Sequence, residues 1–148
     1  MSVAHQATAV AIDGRALLIE GPPGSGKSSL ALALIDRGAR LIGDDAVMLE
    51  PVAARLLASP HPRVAGLIEV RNVGLVTMPV ISAIPVALVL VLDAAAPRHV
   101  EAAETVDRAG IALPMLRLWP DSPVLALRAE LALQRYGDMV PADKETDA

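Results

Sequence analysis

Short apolar runs, each closed by Gly, Pro or Asp, make up most of the chain. Residues 5–12 and 15–20 are two β-favouring runs separated by Asp13 and Gly14, a dipeptide suited to a tight turn, so the pattern predicts an opening β-hairpin. Residues 21–26 break the pattern. After them, 28–37 predicts a helix with Leu30 and Leu34 on one face, ended by Gly38. Short strands are predicted at 40–43, 47–50 and 53–58, then a loop with two prolines at 59–63, then strands at 67–71 and 75–78. Residues 86–92 form an unbroken apolar run, as expected of a central strand covered on both faces, and it ends at Asp93. The polar stretch 94–110 gives no assignment. Another strand is predicted at 111–118, and an amphipathic helix at 122–136, capped by Ser122 with Pro123 in its first turn. The polar segment from 138 onward is expected to be a disordered tail. The whole reads as a single α/β domain over 1–137: a mixed β-sheet with flanking helices built around the glycine-rich break.

A length of 148 residues suits one such domain. The chain is 53% apolar, yet its only aromatic residues are Trp119 and Tyr136, so Val, Leu, Ile and Ala must fill the core. No apolar run approaches the roughly 20 residues of a membrane-spanning helix, which removes a membrane as a partner. No signal-peptide pattern and no cysteine are present, and the expected location is the cytoplasm. A net charge of −4 without a basic stripe argues against nucleic acid.

The break carries the chemistry. Gly21, Pro22, Pro23, Gly24, Ser25, Gly26, Lys27 and Ser28 match the phosphate-binding pattern G-x-x-x-x-G-K-[ST] between a predicted strand and a predicted helix, with Ser29 following in the helix. Glycines let successive N–H groups turn toward phosphate oxygens, and the helix adds the positive end of its dipole. Lys27 would reach the β- and γ-phosphates of ATP, and the Ser28 hydroxyl would ligate Mg²⁺. Apart from Lys144, every other basic side chain is arginine, so a lysine here suits a site that needs a compact point charge.

Phosphoryl transfer also needs a carboxylate, and three places offer one: Asp93 after the central strand, Asp44 and Asp45 after the strand at 40–43, and Glu69 within 67–71. Two adjacent aspartates repel unless a cation or hydrogen bonds stabilise them, which ranks that pair above Asp93. A turn-and-cap role for the pair stays equally open on the residues alone.

Together these blocks resemble the catalytic domain of HPr kinase/phosphorylase, the bacterial enzyme that phosphorylates a serine of the phosphocarrier HPr. The blocks are His5, residues 21–28 followed by Asp44 and Asp45, and Leu67-Ile68-Glu69-Val70-Arg71-Asn72-Val73-Gly74-Leu75, which resembles a family signature around I-E-[IV]-R-G-x-G-[IL]. The resemblance implies that Asp44 is the base taking the proton from the substrate serine, with Asp45 beside it. It further implies that Glu69 is a Mg²⁺-side carboxylate, Arg71 its signature neighbour and His5 the histidine that tunes the base. Also implied are ATP and Mg²⁺ as cofactors, an HPr-like partner and a homo-oligomer, a hexamer in the family. The signature glycine is Asn72 here, and the family's N-terminal domain and basic C-terminal segment are not seen, so a short single-domain form is expected. A small-molecule kinase or NTPase using Asp93, or a nucleotide-binding regulatory module, are the competing readings. His61 and His99 receive no role, and Trp119 and Tyr136 are expected to close the core rather than bind a base.

Overall fold

The computed structural model describes residues 1–139. Residues 140–148, most of the expected tail, lie outside the described residues; Asp138 itself donates its N–H to the Ala87 carbonyl at 2.9 Å. In chain order the elements are β1 (Val3–His5), β2 (Thr8–Ile12), β3 (Arg15–Glu20), α1 (Lys27–Asp36), β4 (Arg40–Gly43), β5 (Val47–Val52) and β6 (Arg55–Pro60). They continue with β7 (Leu67–Val70), β8 (Gly74–Thr77), β9 (Ile84–Leu92), β10 (Glu104–Arg108), β11 (Ile111–Leu118) and α2 (Leu125–Tyr136).

Nine strands join one curled sheet that branches at β9, and β7 and β8 form a separate two-stranded ribbon. Along one edge β9 pairs in parallel with β3, from Ala16 opposite Val86 to Glu20 opposite Val91. On its other edge the first residues meet β6 antiparallel and the last meet β11 in parallel. Outward from β3 lie β2 and then β4, while β6 leads to β5 and β1.

This curl explains the hydrophobic pattern. One face of the sheet packs Leu17, Ile19, Leu88 and Leu90 against Leu30 and Leu34 of α1 and Ala129 and Leu133 of α2. Its opposite face packs Ala9, Leu18 and Val89 against Val47, Leu49, Leu56 and Ala58, because β5 and β6 fold back over it. Strands β3 and β9 are therefore apolar on both sides, as a two-faced core requires. Leu90 lies in register between Ile19 and Leu116 and is fully buried. Leu90→Ala is expected to destabilise the protein by about 2–5 kcal/mol, measured as a lower denaturant midpoint at unchanged slope.

Three predicted boundaries are corrected. The run 5–12 is not one strand: it breaks at Gln6 and Ala7, and β1 pairs with β5 while β2 pairs with β3 and β4. Pro51 does not end its strand. Pairing of β1 with β5 stops at Leu49, so Pro51 faces an open edge where no N–H is needed. Finally, Ser122 and Pro123 precede the second helix rather than starting it. The Ser122 Oγ accepts the Val124 N–H at 3.2 Å in a turn, and α2 begins at Leu125 without a side-chain cap. The unassigned stretch contains β10, whose partner β11 supplies the pairing that its own sequence does not announce. Among the described residues no helix is long and apolar enough to cross a membrane.

Candidate functional site

Strand β3 delivers the chain at Gly21, and the loop 21–26 returns it into α1. Gly21 has φ 155°, and a Cβ there would sit 2.8 Å from Ser25 Oγ and 3.1 Å from the Leu92 carbonyl oxygen. Gly26, at φ 101°, caps α1 in the left-handed region and accepts the first helical bond from Leu30 N–H at 2.9 Å. No side chain caps this helix and no acid lies in its first turn, so the positive end of its dipole faces the loop uncompensated. The Lys27 Nζ folds back over the loop, donating to the carbonyls of Gly21 at 2.9 Å and Pro22 at 3.2 Å.

The acidic pair follows β4 directly, which sets it beside this loop. Asp44 is only 7% exposed and is satisfied on both oxygens. Its Oδ1 accepts the hydroxyls of Ser28 at 2.6 Å and Thr8 at 2.9 Å, and its Oδ2 accepts the Glu69 N–H at 3.0 Å. Thr8 in turn accepts the Asp45 N–H at 3.2 Å. Asp45 itself is exposed and adopts φ 69°, so the two carboxylates diverge, one inward and one toward solvent. That divergence answers the repulsion expected of adjacent aspartates.

Thr8 is absent from the candidates that sequence reasoning supplied. The available signal was a single hydroxyl within the apolar run 7–12, at a position that proves 1% exposed. A buried hydroxyl must find a partner, and this one organises both aspartates.

The ribbon of β7 and β8 closes the arrangement. Glu69 and Arg71 are exposed and line, with Lys27, Ser28, Asp44 and Asp45, a cleft of about 260 Å³. Asn72, which stands at the signature glycine, has φ 70° in the turn between the two strands. Asparagine is among the few side chains that enter this region readily, so the turn survives the substitution.

His5 belongs to a neighbouring cluster. Its Nε2 lies 2.8 Å from Glu20 Oε2, and Glu20 also accepts two bonds from the Arg108 guanidinium at 2.6 and 2.9 Å. The hydrogen-bond partner of His5 is thus the residue preceding Gly21, not either aspartate. Burial pushes the Glu20 carboxyl up, but hydrogen bonds from Arg108 and His5, with their charges, outweigh it and bring its pKa from 4.5 down to about 2. A depressed carboxylate pKa stabilises the fold fully above 4.5 and loses that contribution as pH falls through about 2. The stability gap between wild type and Glu20→Gln is therefore expected to be at most roughly 3 kcal/mol near neutral pH and to close between pH 4.5 and 2, read from urea unfolding across that range.

Asp93 does not join the cleft. Its Oδ1 accepts the Ala95 N–H at 2.8 Å and its Oδ2 meets Arg117 at 3.2 Å, beside Pro22 and Pro23 on the other flank of the loop. Trp119 donates to the Ala96 carbonyl at 2.6 Å but is 40% exposed, so it does not close the core as expected, whereas Tyr136 packs against the core and donates its hydroxyl to the Val100 carbonyl at 3.2 Å. His61 accepts the Arg63 N–H in a local turn.

As a seat for a nucleotide and a hard cation, the cleft offers fitting groups: an ammonium, a glycine-rich turn, a helix N-terminus, the hydroxyls of Thr8, Ser28 and Ser29, and carboxylate oxygens. Among the described residues no three His, Cys, Asp or Glu converge, so a cation here would need nucleotide oxygens to complete its shell.

A family model described as "HPr Serine kinase C-terminal domain" matches residues 1–84, the segment that contains the loop, the acidic pair and the signature. An HPr kinase/phosphorylase of Clostridium tetani is 41% identical over 70 residues, 47% of this chain and 23% of that protein. One from Clostridium botulinum is 43% identical over 67 residues, 45% of this chain and 22% of the relative. The matched stretch thus spans under a quarter of these relatives' length. The solved structure of the Hpr(Ser) kinase/phosphatase from Coxiella burnetii superposes with a TM-score of 0.79 at 27% identity, covering 89% of this chain and 88% of that one.

Proposed function

Because this chain belongs to the HPr serine kinase C-terminal domain family, we propose that it is an ATP- and Mg²⁺-dependent protein serine kinase acting on HPr or a related phosphocarrier. The observation that carries this reading is Asp44, which joins the phosphate loop through Ser28 and the signature ribbon through the Glu69 N–H.

In this reading Lys27 moves from the carbonyls of Gly21 and Pro22 to the β- and γ-phosphates, while the amides of 24–29 cradle the chain of phosphates. Mg²⁺, when bound, neutralises phosphate charge, with Ser28 and Glu69 as its protein-side donors. Once Ser28 turns toward the nucleotide, Asp44 Oδ1 keeps only Thr8 and is available to accept the proton of the attacking serine hydroxyl. Thr8 and the Glu69 N–H hold that carboxylate in one orientation. Asp45 extends the negative edge of the cleft, and exposed Arg71 stands where it can meet phosphate or substrate. His5 acts through Glu20 on the root of the loop. Most of the rate gain comes from positioning and charge, as phosphoryl transfer allows.

The direct experiment is incubation with ATP, Mg²⁺ and the HPr-like proteins of the same organism, followed by mass spectrometry for phosphoserine. Transfer to one of them supports the reading; ATP binding with no transfer to any of them removes it in favour of a regulatory module. Adding inorganic phosphate to the phosphorylated product asks whether the reverse reaction, named in the relatives, is retained.

A further inference from the structure

The phosphate loop has a second flank, and we propose that it seats the base of the nucleotide. This rests on the kinase reading above and extends it to the half of the ligand that the loop motif does not address. Between Pro22 and Pro23 on one side and Leu92, Ala94 and Pro120 on the other lies an open recess of about 500 Å³. Pro23 and Gly24 form its common wall with the cleft that holds Asp44, so one ligand can occupy both.

Topology selects this flank. Strands β3, β9 and β11 run parallel, which brings Gly21, Asp93 and Trp119 to one edge of the sheet at the carboxyl ends of the strands. Ligands of α/β sheets bind at that edge. Reaction geometry selects it too. In-line transfer sets the attacking hydroxyl and the departing nucleoside diphosphate on opposite sides of phosphorus. With the acceptor at Asp44, the nucleoside must leave toward Asp93.

The chemistry of the two flanks agrees. A base on the Asp44 side would meet the charged side chains of Asp44, Asp45, Glu69 and Arg71. On the other side it meets the rings of Pro22, Pro23 and Pro120 and the Ala94 methyl, surfaces against which a flat heterocycle sheds water without stranding a polar group; the Leu92 side chain lies buried behind them. Its polar side chains offer a base little: the Asp93 carboxylate is engaged by the Ala95 N–H and Arg117, and the Ser25 Oγ, which has no hydrogen-bond partner among the described residues, is itself buried. Trp119, whose indole N–H is bound to Ala96 and whose ring lies 5.9 Å from the Arg128 guanidinium carbon, is not the platform. The seat therefore grips faces rather than edges and separates adenine from guanine poorly, within about tenfold in dissociation constant.

Ala94 is exposed in the wall opposite the loop, and Ala94→Trp fills the recess while leaving every residue of the phosphate loop unchanged. Calorimetric titration of the full chain with ATP, GTP and inorganic tripolyphosphate, each with Mg²⁺, tests the assignment. The variant is expected to lose at least about tenfold in affinity for both nucleotides and to bind tripolyphosphate within about twofold of wild type. Unchanged ATP affinity in the variant would overturn the assignment. Should both ligand types weaken, wild-type protein decides: nuclear Overhauser contacts from adenine protons to the Ala94 methyl and the Pro120 ring protons support the seat, and their absence overturns it. Wild-type protein that bound neither ATP nor tripolyphosphate would instead defeat the phosphate-loop reading beneath it.

Discussion

Asp44→Asn is expected to lower phosphoryl transfer by about 10²–10⁴-fold while ATP binding stays close to wild type, because the substitution removes a proton acceptor and leaves the loop intact. Asparagine is nearly isosteric, and its carbonyl oxygen can still accept from Thr8 and Ser28. Its amide nitrogen, however, replaces the oxygen that accepts the Glu69 N–H, setting two donors face to face. A conflict of that kind costs about 1–3 kcal/mol, so thermal unfolding should show a modest loss of stability in a protein that still folds. Single-turnover transfer from ATP separates the chemical effect from binding. Asp93→Asn provides the contrast: that carboxylate is engaged with Arg117 and its own turn, and transfer should change little. The reverse pattern, an active Asp44→Asn and an inactive Asp93→Asn, would return the chain to the small-molecule kinase reading.

A second large effect is expected at Lys27. Lys27→Ala should reduce kcat/KM for ATP by about 10²–10³-fold or more, the scale seen when one preorganised charge or donor is lost from a transferring group. Its present partners are backbone carbonyls, one of them in an exposed contact that water can replace, so the fold should lose little. Lys27→Arg is not a rescue. The guanidinium is planar and wider than the ammonium, and the loop turns tightly enough that Lys27 Nζ already touches two of its carbonyls. Equilibrium titration with ATP, alongside circular dichroism to show a native fold, checks both statements. Normal ATP affinity in Lys27→Ala would mean that the loop does not hold phosphates.

Much of the scaffold could be read from residue order. The Asp13–Gly14 turn forms as its dipeptide predicts, with positive φ at both positions, 50° and 78°. Likewise, the unbroken run at 86–92 became the central strand at the branch of the sheet. Both signals are local: a turn dipeptide constrains its own dihedral angles, and an all-apolar strand reports burial on both of its faces. Where neighbours decide, the reading fell short. Nothing in the run 5–12 marks the switch of partner at Gln6 and Ala7, and nothing in β10 announces a strand without its partner β11.

The same division runs through the candidate site. Sequence alone determined the strand, turn and helix around Lys27 and Ser28, because a glycine-rich turn feeding a helix encodes its geometry within eight adjacent residues. It also ranked the pair Asp44 and Asp45 above Asp93, without showing which of the two aspartates turns inward. Only the tertiary structure decided that Asp44 turns inward and Asp93 does not, that Thr8 organises the pair, and that His5 answers to Glu20. These contacts join residues 36, 25 and 15 positions apart, and Arg108 reaches Glu20 across 88. Such pairings are products of how the sheet curls and where β4, β7 and β10 come to lie. Packing sets them through burial and hydrogen-bond satisfaction, and no local periodicity carries that information.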